Sequence, residues 1–287
     1  METPFIETPT SLTHTLRPMG IGDLLDRVIY FYRTHFVALL AFTSLLIVPP
    51  TLLSILISLP SLSFMADPSI LEESPGLFFS SFGLSWVGSV IFSLGITYFI
   101  MPLLAAGIGV AMQGFLLEGR RVGLLEMITG MRNNIRPMAT TGLVAMIFSF
   151  ASFITFPLVP VWAAIVTLFT YAFYLSLFVT LYEKRAGLEA LRRGWILIRG
   201  SVWRALGYLV LFYFFSLVFG GIVGGVMGAS LLALAPLIDT ADSPFLSLIL
   251  QSLAQGFTNV LTLPLLFGTT ALLYFDLRIR HEGLDVA

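Results

Sequence analysis

The chain has no cysteine and only three histidines in 287 residues. Without thiols it has no disulfide, no thiolate metal site and no cysteine nucleophile. His14, His35 and His281 all lie outside the apolar runs. Charge is scarce too: Asp, Glu, Lys and Arg make up 11% of the residues, against about 25% in an ordinary soluble domain. Lys184 is the single lysine among fifteen bases. Catalytic signatures are also missing. There is no glycine-rich phosphate loop, no HExxH and no GxSxG. Residues 1–19 lack the basic start and apolar core of a secretory signal. They are expected to remain as a flexible cytoplasmic leader. The residues therefore point to no catalytic group, no cofactor, no metal and no nucleic-acid partner.

Apolar residues are abundant. They make up 57% of the chain, and Phe alone accounts for 26 positions. Mean hydropathy is +0.95. This composition defines an integral membrane protein. Six apolar runs, at about 36–59, 85–117, 139–157, 160–182, 202–229 and 247–275, predict an all-α membrane domain over residues 20–287. Pro49 and Pro50 predict a kink or break in the first span. The Ser-, Pro- and acid-containing stretch 60–84 reads as a loop. Residues 85–117 would reach about 50 Å as a helix, beyond an apolar core of about 30 Å, so a bend is expected at Pro102. Pro157 and Pro160 mark a tight turn.

All fifteen bases fall in four places: the N-terminal region, residues 118–138, residues 183–204 and the C-terminus. The other three loops have none. By the positive-inside rule these four regions are cytoplasmic. The expectation is a multi-pass protein of the cytoplasmic membrane with both termini inside. Aromatic residues agree: Trp86 and Trp162 mark the outer boundary, and Tyr182, Trp195, Trp203 and Tyr274 the inner one.

Three short polar segments repeat apolar groups at helical spacing. They carry Ile21, Leu25, Val28 and Tyr32; Leu125, Ile128, Met131 and Ile135; and Leu188, Leu191, Trp195 and Ile198. Each predicts an amphipathic helix lying in the interface plane. The third lies within LYEKRAGLEALRRGWILIRGSVWR, residues 181–204. Arg192, Arg193, Arg199 and Arg204, with Trp195 and Trp203, are its candidate lipid-interface residues. The planar guanidinium fork suits phosphate oxygens, and each base near an anionic surface contributes about 1 kcal/mol. The same bases would also serve as a topology signal without any ligand.

The ends of the return helices resemble one another: Leu117-Glu118-Gly119-Arg120, Tyr182-Glu183-Lys184-Arg185 and Phe275-Asp276-Leu277-Arg278. A Gly-Leu pair follows each, at 123–124, 187–188 and 283–284. This pattern predicts three pseudo-repeated hairpins, each preceded by a surface helix, with a fourth surface helix begun and not completed. Helix ends that need charges and turns that need glycine would yield part of the pattern. Glu118, Glu183 and Asp276 could then converge, and the base two residues after each predicts an ion pair. In the fifth span, Gly220, Gly221, Gly224, Gly225 and Gly228 form small-residue ridges suited to helix packing. Gln113, Gln251, Gln255 and Asn259 read as inter-helix hydrogen bonders. No ionisable relay of the kind proton-coupled carriers use lies at mid-membrane depth.

The stretch LYEKRAGLEALRRGWILIRGSVWR, the ending LLYFDLRIRHEGLDVA and the GDLLDRVIYFYRTHF run resemble a bacterial six-span family, the glycerophosphoryl diester phosphodiesterase membrane domain. The likeness runs from about residue 17 onward. It implies a membrane domain without the catalytic barrel, whose His, carboxylates and metal site have no counterpart here. The expected role is a non-enzymatic lipid-contacting scaffold or the membrane partner of a separate enzyme. The partners would be membrane lipids, anionic ones included, and a membrane or cytoplasmic protein. Alternatives are a transporter or flippase-like protein for an amphipathic substrate, and a membrane subunit of a phosphodiester hydrolase.

Overall fold

The computed structural model describes residues 20–66, 75–152 and 159–200, part of 202–230, and 244–282. The leader, the turn at Pro157, Arg204 and the last Gly-Leu pair lie outside the described residues. Ten helices are found among those described: α1 Ile21–Thr34, α2 Phe36–Ala66, α3 Pro75–Gly95, α4 Met101–Leu117, α5 Leu124–Asn133, α6 Ile135–Ser152, α7 Val159–Tyr182, α8 Leu188–Arg199, α9 Gly220–Ser230 and α10 Pro244–Glu282. Among the described residues, three stretches are long and apolar enough to cross a membrane: Phe36–Leu59, Gly83–Leu117 and Leu248–Arg280.

The expected loop at 60–84 is a correction. α2 continues to Ala66 and α3 begins at Pro75. Proline is favoured at a helix start, where its missing N–H has no intrahelical acceptor, and the apolar Leu77-Phe78-Phe79 follows it. Helix also continues through Pro49 and Pro50, so the chain does not break there.

The distortion expected at Pro102 lies one turn upstream, in a π-helical turn at Ile96–Ile100 that joins α3 to α4. Met101 N–H reaches back five residues to the Ile96 carbonyl. Pro102 has no N–H to offer the Tyr98 carbonyl four residues back, so the ladder widens there. That carbonyl lies directly against Gly142 of α6, and a Cβ at 142 would collide with it.

The return helices α4, α7 and α10 pack against one another at the centre. α5 lies on α4, α8 on α7 and α1 on α10, while α2 packs along α10. Glycine permits several of these approaches. Gly107 meets the Phe42 ring of α2, and Gly109 meets Leu181 of α7. A Cβ on Gly194 of α8 would stand 2.7 Å from the Ala172 carbonyl of α7, and one on Gly256 of α10 would stand 2.8 Å from Thr51 Cγ2 of α2. The predicted ridge behaves differently. Among the described residues, a Cβ on Gly220 meets Thr258 Cγ2 at 3.6 Å, and one on Gly221, Gly224, Gly225 or Gly228 meets nothing within 4 Å.

Gly142→Val and Gly194→Val should therefore each lower the stability of the detergent-solubilised protein, by at least about 1–3 kcal/mol of overpacking. Gly224→Val should be close to neutral. Thermal melts of the three variants decide this, and equal melting temperatures would contradict the packing assigned to Gly142 and Gly194.

Candidate functional site at the charged end of the bundle

Two return helices end in the same way. Glu118 caps α4 and is followed by Gly119 at φ 63°; Glu183 follows α7 and precedes Lys184 at φ 57°. A left-handed residue just past a helix end is a common terminator. It turns the chain so that an arginine two residues after the carboxylate folds back onto it. Arg120 pairs with Glu118 and also grips Glu126 of α5, with one bond at 2.7 Å. Arg185 lies 3.5 Å from Glu183. The third copy departs from this pattern. α10 continues past Asp276, and Asp276 bonds one turn on to Arg280 at 3.2 Å.

Glu183 sits where three helices meet, and of these carboxylates Asp276 alone, at 0% exposed, is more shielded. Arg193 of α8 donates its Nε to both carboxylate oxygens, at 3.2 and 3.3 Å. The Tyr274 hydroxyl of α10 donates to Oε1 at 3.0 Å, and Arg278 Nη1 donates to that hydroxyl at 3.3 Å. The Glu183 side chain is 8% exposed and that of Arg193 18%, against 48% for Glu118. Beside it the Tyr182 hydroxyl donates to the Gly109 carbonyl of α4 at 2.9 Å. One turn back, Thr141 of α6 bonds Thr180 of α7 at 3.0 Å and accepts the Gly187 N–H, which precedes α8, at 3.0 Å. Gly187 has φ 63°, which disfavours a side chain.

The carboxylates are thus engaged by cations and a tyrosine. Electrostatics agree at the exposed junction: hydrogen bonds to Arg120 hold the Glu126 carboxyl below its usual range, and those to Glu126 and Glu118 push the Arg120 guanidinium up. No group of three or more His, Asp or Glu that could hold a metal occurs among the described residues.

α8 divides its residues cleanly. Ala190, Leu191, Gly194, Leu197 and Ile198 are buried against the bundle. Leu188, Arg192, Trp195, Ile196 and Arg199 face outward. The predicted apolar stripe is therefore split, because Leu191 and Ile198 turn inward while Leu188 and Trp195 turn out. Of the candidate lipid-interface residues, Arg192, Trp195 and Arg199 share the outer face, Trp203 is exposed, and Arg193 is turned in to Glu183. Spacing alone did not reveal the Arg193 role, since its partner lies ten residues back across a chain reversal. On α5, Leu125 points outward and Met127 is buried, again one position off the expected stripe.

Two hollows lie among the described residues. One, of about 410 Å³, lies between α1 and the α4–α5 turn. The other, of about 500 Å³, is bounded by Gly220, Gly221 and Gly224 of α9 and by Gln251, Gln255 and Asn259 of α10. Gln255 Nε2 donates to Asn259 Oδ1 at 3.1 Å, so two of the four expected amide bonders pair along one helix. Comparison with known proteins finds no matching family, no matching curated protein and no matching solved structure.

His35, buried between α1 and α2, has Nδ1 on the Phe31 carbonyl at 3.2 Å, and its Nε2 has no partner. Burial pushes its pKa below the ordinary 6.5, and the nearby Arg121 adds to this. A lowered folded-state pKa means that the unfolded chain takes up protons first as pH falls. Stability should therefore be level above about pH 6.5 and decline below it, and His35→Asn should flatten that decline in melts across the range. Neutralising Glu183 removes the charge that the half-buried Arg193 grips through Nε, and Glu183→Gln should cost about 3 kcal/mol. Glu118→Gln at the exposed pair should cost under about 1 kcal/mol. Denaturant titration of both variants compares the two.

Proposed function

We propose that this is a six-span protein of the cytoplasmic membrane, with both termini inside, built from three pseudo-repeated hairpins. It acts as a non-enzymatic scaffold that engages anionic lipid at the inner surface and serves as the membrane partner of a separate enzyme. Support for the repeat comes from the mutual packing of α4, α7 and α10, and from the seating of α5, α8 and α1 on them in turn. The left-handed residues at 119 and 184, each following a capping carboxylate, agree with it. Support for the orientation comes from the placement of the bases. The likeness to the glycerophosphoryl diester phosphodiesterase membrane domain fits the same role.

The observation that carries the reading is the outer face of α8. A helix on a water-soluble body would turn Leu188, Trp195 and Ile196 inward. Here they stand out beside Arg192 and Arg199. Apolar groups that enter the acyl boundary, flanked by guanidinium groups level with the phosphates, suit an anionic membrane surface. The buried face of the same helix is locked to α7 through Gly194, so the outer face is held rigidly.

A second reading, movement of an amphipathic substrate across the bilayer, is favoured by the hollow between α9 and α10. Gln251 and Gln255 are exposed on an otherwise apolar helix, and uncovered amides at membrane depth need polar company.

Arg192→Ala with Arg199→Ala should weaken retention of anionic lipid. At about 1 kcal/mol for each base, the loss is roughly thirtyfold. Quantifying lipids that co-purify in mild detergent tests this, and unchanged retention would refute the scaffold reading. Gln251→Leu with Gln255→Leu should leave that retention intact. Loss of lipid scrambling in proteoliposomes on this change would favour the second reading.

A further inference from the structure

The hollow between α1 and the α4–α5 turn contains chemistry that the α8 face does not use. Arg27, Tyr30 and Thr34 of α1 form one wall, and Phe115 and Arg121 form the other. Arg120 also reaches it, but Glu118 and Glu126 occupy that guanidinium. No hydrogen bond or ion pair engages the side chains of Arg27 or Arg121 among the described residues. One carboxylate, Asp26, shares the lining with them. The rings of Tyr30 and Phe115, 5.7 Å apart, make an apolar flank. Behind Phe115 stands His35, edge-on at 5.8 Å, with its buried Nε2 unpartnered.

We propose that this cleft binds a phosphate ester, with the phosphate held between Arg27 and Arg121 and the apolar part of the ligand along Tyr30 and Phe115. Two free guanidinium forks facing one space match the paired oxygens of phosphate. A ring-lined flank beside them matches an esterified organic group better than a bare ion. The cleft depends on the membrane reading only for the source of the ligand. With α1 at the boundary, a phospholipid headgroup reaches the cleft from the bilayer; a soluble phosphate ester reaches it from the aqueous side. His35 gives the site a reporter. The positive charge of Arg121 disfavours protonation of His35, and an anion seated on Arg121 offsets that charge. Occupancy should therefore raise the His35 pKa, and protonation should tighten binding by the same factor.

The test uses the full chain, native and carrying both Arg27→Gln and Arg121→Gln. Both arginines lie at the surface of the fold, and thermal melting confirms that the variant is folded. In one arm the protein sits in nanodiscs of equal phosphatidylglycerol and phosphatidylcholine, and retained lipid is counted by native mass spectrometry. In the other, detergent-solubilised protein is titrated with glycerol 3-phosphate while histidine resonances are followed by NMR. The expected result is at least a tenfold loss of binding in the variant, since a charge-assisted bond contributes about 1.5–3 kcal/mol. An upward shift of the His35 titration should occur only in the native chain. Response in the first arm alone identifies a lipid headgroup, and response in the second identifies a soluble ester. If native and variant behave alike in both arms, the inference is overturned. If phosphatidylglycerol is lost with Arg192→Ala and Arg199→Ala but not with this pair, and glycerol 3-phosphate binds native and variant alike, the cleft fails while the α8 reading stands.

Discussion

A carboxylate shut away from water must be surrounded by donors, and Glu183 meets that requirement with groups from separate helices. It follows the end of α7, takes Arg193 from α8 and takes Tyr274 from α10. Because breaking such a pair leaves a charge buried alone, each partner holds the others in register. Arg193 anchors one edge of α8 while Gly194, the next residue, lets the helix backbone settle on α7. The outward direction of Arg192, Trp195 and Arg199 follows from these two neighbours. The proposed lipid-facing surface is thus set by residues that never meet lipid.

The same economy appears in the middle of the long second apolar stretch. A proline that removes one donor, a widened turn that redistributes the ladder and a glycine on the facing helix act together. Pro102, the turn at Ile96–Ile100 and Gly142 bring α6 against a bare carbonyl of Tyr98. At Gly142 and Gly194 glycine lets backbone meet backbone. The richest cluster of glycines, on α9, borders an open hollow instead.

Helix type and approximate position were legible from the apolar runs, because runs of that length and composition have few other solutions. The boundaries near residues 60–84 were not. Ser, Gly and Pro there resemble a loop in composition, yet proline at a helix start costs nothing and the apolar residues after it continue the pattern. The bend was legible as a consequence of Pro102, but its place was not, since proline acts on the carbonyl four residues back. On the short surface helices, spacing identified an apolar side without telling which apolar residues face the bundle. Leu188 was placed on one stripe with Leu191, and Leu125 with Ile128, and the packing surfaces of α7 and α4 split each stripe. The Glu–x–Arg endings announced ion pairs, and two formed locally. The stronger partner of Glu183 comes from the next helix, a relation that no short-range periodicity encodes.

α1 rests on α10, the position that a helix following Asp276 would occupy by analogy with α5 and α8. α1 therefore has its seat on a helix made much later in synthesis. Until α10 is made, Leu24, Val28 and Phe31, all buried in the fold, have no permanent cover. A membrane surface offers a waiting place for such a helix, and a cytosolic chaperone another. The fold thus closes only when α1 meets α10, and a chain cut short before α10 leaves α1 undocked.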